Sequence, residues 1–386
     1  MGRMLTLIQN GEVFAPAPLG WRSVLLVNGT IGRIGDVDVG GARALGLDLE
    51  VIDAEGCLVT PGLIDPHEHL LGGSGEEGFA SQTPEITFGE VVTCGITTVV
   101  GCLGVDTTMK TLAGLLAKVK AFREEGLSAY MWSGGYNVPP TTVTDSVRND
   151  LLFIAEVIGC GEVAIADERS TEPEPRELAR LVNDAHVGGM LSRKAGVTHF
   201  HVGESERKLR CVREILDRKR FQLRPEMVYA THVQRNEALL LEAIELARQG
   251  IAVDFDVVDR DLAKWLCFYR EHDGPLDRLT FSSDASKTSP GVLFDQVREC
   301  VTEHGFKLQD VLPHVTSNTA QVLKLEQKGT LEPGKDADVL VLRRDTLEPV
   351  EVLARGKRMV KGGRLVVTEQ FLEDSNRKVE LHGQKH

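Results

Sequence analysis

The strongest constraint on the fold is a repeated alternation: eight short apolar runs, spaced roughly 25 to 35 residues apart, with helical stretches between them. The runs are Gly62–Asp65, Ile96–Gly101, Ser128–Ser133, Glu162–Asp167, Thr198–Val202, Met227–Val233, Ile251–Phe255 and Leu279–Ser283. Intervals such as Met109–Glu125, Val147–Ile158, Glu174–Val187 and Ala238–Gln249 carry apolar residues at helical spacing. Eight strand-then-helix units predict an α/β chain folded as a (β/α)8 TIM-like barrel, whose parallel strands are covered on both faces. An open doubly wound sheet would place a glycine-rich phosphate turn directly after its first strand, opening a helix. Gly72–Gly73–Ser74–Gly75 comes too late for that and is expected to be an active-site loop.

The two ends of the chain have a different texture. Residues 1–59 carry short strands broken by Asn10–Gly11 and Asn28–Gly29, both expected to be turns. Residues 329–386 answer with Val339–Leu342, Glu351–Ala354 and Arg364–Val367 after the segment Gly329–Asp338. Either end alone would make a sheet too small to be stable. The expectation is one small β-sandwich domain built from both termini, 1–59 with 329–386, and a catalytic barrel over 60–328.

Charge narrows the partners. With Lys+Arg 44 against Asp+Glu 57, the net charge of −13 opposes binding to nucleic acid or to an anionic membrane. A small-molecule substrate and further copies of the chain, as a homo-oligomer, are the expected partners. No apolar run approaches the roughly 20 residues of a membrane span, and no secretory signal pattern opens the sequence, so a cytoplasmic location is expected. The 7 cysteines are odd in number and scattered. They predict neither a disulfide framework nor a thiolate zinc site.

In such a barrel the chemistry sits at the C-terminal ends of the strands. Strand one ends in His67 and His69, which share a parity and so face the same way. Strand four offers Glu162 and Asp167, strand five His199 and His201, strand six His232 and strand eight Asp284. Of the strand-five pair, His201 lies nearer the rim. Glu162 stands early in its predicted strand, although Gly161 before it can mark a bulge; Asp167 is the competing acid. Four imidazoles and two carboxylates exceed the needs of one tetrahedral ion and suit two divalent ions sharing a carboxylate. The chemistry expected of such a pair is hydrolysis, with Asp284 as proton carrier.

Taken together, Pro61–Gly62–Leu63–Ile64–Asp65–Pro66–His67–Glu68–His69, the later histidines, Asp284 and the Gly329–Asp338 segment resemble the amidohydrolase superfamily. Within it, Gly72–Glu76, Gly135–Pro139, Ala164–Ser170 and His232–Asn236 are similar to motifs of the isoaspartyl (β-aspartyl) dipeptidases. The resemblance implies two zinc ions bound by His67, His69, Glu162, His201, His232 and Asp284, bridged by Glu162 and a hydroxide that attacks the isopeptide bond of a dipeptide. It implies that Glu76 holds the substrate's α-amino group, that Tyr136 steadies the oxyanion, and that Arg169 and Arg235 grip carboxylates. Ser74 and Thr288 fall at other substrate-contacting positions. Two residues depart from the pattern. Glu162 stands where well-known members carry a carboxylated lysine, which implies assembly without bicarbonate, and Val105 replaces a substrate-contacting threonine. The alternative expectation is an amidohydrolase acting on another N-acyl amino acid or a cyclic amide.

Overall fold

The computed structural model describes residues 5–44, 46–373 and 375–376. Among them the strands run β1 Leu5–Phe14, β2 Pro18–Val27, β3 Thr30–Gly35, β4 Leu49–Asp53 and β5 Cys57–Pro61. The barrel strands follow as β6 Leu63–Glu68, β7 Ile96–Gly101, β8 Ser128–Ser133, β9 Val157–Ile165, β10 Thr198–Val202, β11 Val228–Thr231, β12 Ala252–Asp256 and β13 Leu279–Ser282. Last come β14 Val339–Arg343, β15 Pro349–Ala354, β16 Lys357–Lys361 and β17 Arg364–Leu365.

Strands β6 to β13 pair in sequence order and in parallel, as the apolar runs predict. Every residue of β6, β7 and β9 is buried, because helices cover the outer face while the strands' own side chains fill the inside. The helices begin and end where their caps dictate. Thr111 accepts from Gly114 N and Gly126 closes Leu112–Glu125 in the left-handed region; Asn236 and Gly250 do the same for Glu237–Gln249. The second of these buries Leu239, Leu240, Ala243, Ile244 and Ala247, a stripe at 3.6-residue spacing.

The ring closes between its first and last strands. Ser283 N donates to the Asp65 carboxylate at 3.2 Å, Asp284 N to the His67 carbonyl at 3.1 Å, and His69 N to the Ala285 carbonyl at 2.9 Å. Local side-chain and main-chain bonds thus tie this seam at the level of the two histidines.

The remaining strands form one sheet, in the order β17-β16-β15-β14-β5-β1-β2-β3, with β4 also on β1. Pairing of β5 with β14 joins the two ends of the chain in a small β-sandwich, whose core includes Ile8, Val24, Ile31, Val59, Val339 and Leu353. Asn28–Gly29 makes the β2–β3 hairpin turn, with Val27 opposite Thr30. Asn10–Gly11 does not make a turn: β1 runs through it, the register shifts between Ile8 and Gly11, and Asn10 takes φ 61°. The same Asn-Gly pair that favours a turn also favours a bulge. A buried ion cluster pins the sandwich to the barrel. Lys328 Nζ reaches Asp338 at 2.6 Å, Asp336 at 2.7 Å and the Ser128 hydroxyl of β8 at 2.6 Å.

The expected helix over Val147–Ile158 stops at Phe153, and β9 begins at Val157 rather than at Glu162. The β-branched pair Val157–Ile158 belongs to the sheet. Glu162 therefore lies well along its strand, and Asp167 lies beyond the strand's end. Among the described residues no helix is long and apolar enough to cross a membrane.

Candidate functional site

Four histidines and two carboxylates converge at the mouth of the barrel. His67 lies within β6 and His69 just past it, on the same face, with ring centroids 5.4 Å apart. His201 comes from β10, His232 from just past β11 and Asp284 from just past β13. His232 and Asp284 take φ of 61° and 47°, so the chain turns sharply as each leaves its strand.

Glu162 reaches the same point by way of a bulge. Thr198 pairs with Cys160 and Phe200 with Val163, leaving Gly161 and Glu162 together opposite His199. At Gly161 a Cβ would lie 2.6 Å from the His199 carbonyl oxygen, so only glycine fits. The bulge aims the Glu162 side chain into the middle of the cluster. Its Oε1 is 3.4 Å from His69 Nε2. Its Oε2 is 3.4 Å from His67 Nε2, 3.3 Å from His201 Nδ1 and 3.8 Å from His232 Nε2. Asp284 Oδ1 sits 3.1 Å from His69 Nε2 and 3.5 Å from His67 Nε2, and its Oδ2 4.0 Å from His232 Nε2.

Mutual charge sets the protonation of this cluster. Burial alone would neutralise Glu162 and Asp284, but the imidazoles of His67, His201 and His232 hold Glu162 well below the usual carboxylate range, and His67 and His69 hold Asp284 down. Burial opposes charge on His232 too, yet Asp256 lifts it to about 9. Tyr136 is pushed well up by burial and by Glu162, so it stays a neutral phenol able to donate.

Three further groups hold this set in place. His199 lies behind the cluster, its Nε2 3.2 Å from His67 Nδ1 and its ring stacked on Trp132 with centroids 5.0 Å apart. Burial and the neighbouring His67 keep His199 well below the ordinary imidazole range, so it buttresses His67 as a neutral ring. Asp167 pairs with His201 Nε2 at 2.9 Å and takes Arg169 Nε and Nη2 at 2.8 Å each, which leaves it outside the cluster's centre. Asp256 Oδ2 holds His232 Nδ1 at 2.8 Å and also accepts from Gln234 Nε2 at 2.6 Å.

Around the rim, Tyr136 places its hydroxyl 2.9 Å from His201 Nδ1. Arg169 Nη1 donates to both Glu76 oxygens at 3.0 Å, so the expected carboxylate-binding and amine-binding side chains pair with each other across the mouth. Arg235 donates through Nε to the Val202 carbonyl at 2.9 Å and places Nη1 3.6 Å from Glu204. Ser74 Oγ accepts from Asp106 N at 3.4 Å, next to half-buried Val105. Thr288 Oγ1 is buried without a partner. Among the described residues, no hydrogen bond joins Ser74, Val105, Arg235 or Thr288 to the four histidines.

Two groups near the cluster lie outside the strand-end set expected from the sequence. Cys102 follows β7 directly, with Sγ 3.7 Å from His69 Nδ1. Asp256 ends β12, one residue beyond the predicted run. Each stands one residue past a predicted apolar run, the same signal that marks Asp284.

The donor set fits a metal. His67 Nε2 and Glu162 Oε1 are buried with no hydrogen-bond partner, which is costly unless something else satisfies them. His67, His69, Cys102 and Glu162 offer donor atoms all within 4.8 Å of one another; so do Glu162, His201 and His232, and also His232, Asp256 and Asp284. Glu162 belongs to two of these groups.

Comparison with known proteins agrees with this geometry. Residues 272–366 match the model of the amidohydrolase family. The β-aspartyl dipeptidase of the thermophilic, keratin-degrading Fervidobacterium islandicum superposes with a TM-score of 0.89 at 35% identity, over 95% of this chain and 99% of that one. The chain belongs to the amidohydrolase family. This amidohydrolase is a hydrolase by descent, and it matches the same Fervidobacterium enzyme in complex with a β-Asp-Leu dipeptide at 34% identity and a TM-score of 0.89. It is also 25% identical to the dihydroorotase of Pelotomaculum thermopropionicum, over 94% of this chain and 95% of that protein.

Proposed function

We propose that this amidohydrolase cleaves the isopeptide bond of β-aspartyl dipeptides at a dinuclear zinc centre. The observation that carries the reading is the Glu76–Arg169 pair, 3.0 Å apart and bonded through Arg169 to the groups that hold His201. A zwitterionic substrate carrying an extra carboxylate needs one anion and one guanidinium close together beside the reacting centre. Likeness to a β-aspartyl dipeptidase supports the same substrate class.

One ion would be held by His67, His69, Glu162 and Asp284 and the other by Glu162, His201 and His232, with Glu162 shared. Two bound cations would supply positive charge that acidifies water and polarises an amide carbonyl. The chain's own groups do the rest. Glu76 binds the α-amino group, and Arg169 and Arg235 hold carboxylates. Tyr136, a neutral phenol, donates to oxygen as negative charge develops there. Asp284, a fifth exposed at the mouth, takes a proton and returns it to the leaving amine. Thr288 and Ser74 supply hydroxyls, and Val105 gives an apolar contact. The proposed division is a small domain of 1–59 with 329–386 and a catalytic barrel over 60–328, which supplies every residue given a role here.

A second reading, hydrolysis of a cyclic amide or another N-acyl amino acid, draws on the likeness to dihydroorotase. The test is metal content per chain measured beside hydrolysis of β-aspartyl-leucine and its α-linked isomer. Two metals with cleavage of the β isomer alone support the proposal. Equal cleavage of both moves the assignment to the second reading, and a dimetal protein inert toward both rejects the dipeptidase.

A further inference from the structure

We propose that Cys102 is a thiolate ligand of the ion held by His67 and His69, a role that rests on the dinuclear reading above. Cys102 is 1% exposed and stands just past β7, the strand beside β6. Its Sγ lies 3.7 Å from His69 Nδ1 and 4.0 Å from His69 Nε2. Gly104 lets this segment press against the site: a Cβ there would lie 2.9 Å from His69 Cε1 and 3.6 Å from Glu162 Oε1.

The light-atom spacing suits a tetrahedron. With zinc bonds of about 2.05 Å to nitrogen or oxygen and about 2.3 Å to sulfur, tetrahedral edges come to about 3.4 Å between light atoms and about 3.6 Å from sulfur to a light atom. Glu162 Oε1 is 3.4 Å from His69 Nε2, the light-atom edge, whereas Sγ, nearly equidistant from the two His69 ring nitrogens and 3.5 Å from the Glu68 carbonyl, lies beside the imidazole and has to swing about its Cα–Cβ bond to share an ion with Nε2. His67 Nε2 and Glu162 Oε1, both buried and without a hydrogen-bond partner, belong to the same four-donor group as Sγ. A cysteine acting only as a small apolar filler has no reason to stand among unsatisfied donors.

A thiolate in the fourth place changes what the site can do. Asp284 is then not needed to complete this ion's shell and is freer to carry a proton. Sulfur ligation also shifts preference toward zinc and cadmium and away from magnesium or manganese. Binding deprotonates the thiol, so one proton per chain passes from Sγ to the buffer.

The probe is cobalt(II), added to metal-free full-length protein in place of zinc. The expected result is a thiolate-to-cobalt charge-transfer band in the near-ultraviolet for the wild type, lost in Cys102→Ala and Cys102→Ser, with one proton fewer released per chain in Cys102→Ala. Among the described residues no other cysteine joins a metal-type group, so the band reports on Cys102. The wild type carries the test even if a variant fails to fold: cobalt bound without the band overturns the thiolate ligand and leaves the dinuclear reading standing. Protein that takes up no cobalt overturns both.

Discussion

Glu162 and His69 meet across the barrel mouth with 3.4 Å between Oε1 and Nε2, although one comes from the fourth barrel strand and the other from just past the first. The second oxygen of the same carboxylate faces His201, on the fifth strand, at 3.3 Å. One side chain therefore spans both halves of the cluster. It can do so because the Gly161 bulge turns it inward and because glutamate is long enough to reach the axis.

A glutamate is an anion without help from carbon dioxide. Metal-free protein reconstituted with zinc in degassed, bicarbonate-free buffer should recover the same metal content and activity as in buffered bicarbonate. Glu162→Gln, which keeps the shape and loses the charge, should bind fewer metals per chain, read by atomic emission. Recovery that requires bicarbonate would remove Glu162 from the bridging place.

Glu76 is predicted to recognise an amine. A hydrogen bond to a charged group contributes about 1.5–3 kcal/mol, so Glu76→Gln should lower kcat/KM for β-aspartyl-leucine about 10- to 100-fold. The N-acetylated substrate, which has no charge to lose, should be cleaved equally by both proteins. Steady-state kinetics on the two substrates decides it; an equal loss on both would assign Glu76 to holding Arg169.

Asp256 orients His232 through a 2.8 Å bond and stands outside the proposed set of ion ligands. Such partners typically change metal affinity by about 10- to 100-fold. Asp256→Asn should weaken retention of one ion by that factor in competition with a chelator, while the fold melts close to the wild-type temperature once metal is saturating.

His314 gives a pH dependence remote from the mouth. It is buried with Nδ1 3.0 Å from the Leu279 carbonyl, and burial pushes its pKa down to about 4. Above about pH 6.5 the ring is neutral in both folded and unfolded chains, and its contribution is complete. Between pH 6.5 and 4 only the unfolded chain takes up the proton, so stability falls as pH falls, by about 3 kcal/mol in all. Urea unfolding of the wild type and His314→Gln across this range should show a shallower slope in the variant.

The barrel was legible because its strands are apolar on both faces, and the paired histidines were legible because strand parity is strict. Glu162 was harder to place. Val147–Ile158 carries a helix start and a strand start in one apolar stretch, and periodicity does not mark where one gives way to the other. Asn10–Gly11 shows the same limit, since its backbone preference serves a turn and a bulge alike. Pairings such as Glu76 with Arg169, 93 residues apart, come from the three-dimensional closure of the ring and have no local signature. Cys102 was passed over for a chemical reason: an isolated cysteine with no Cys-x-x-Cys partner resembles core filler until its neighbours are known.

The seam between β6 and β13 gives the molecule a built-in order of events. Asp65 and Ser283 are 218 residues apart in the chain, and the main-chain bonds beside them place His67, His69 and Asp284 together. A growing polypeptide that has emerged only as far as β12 has an open sheet and lacks Asp284, the proposed proton carrier. On the proposed reading, hydrolysis therefore waits for the finished ring.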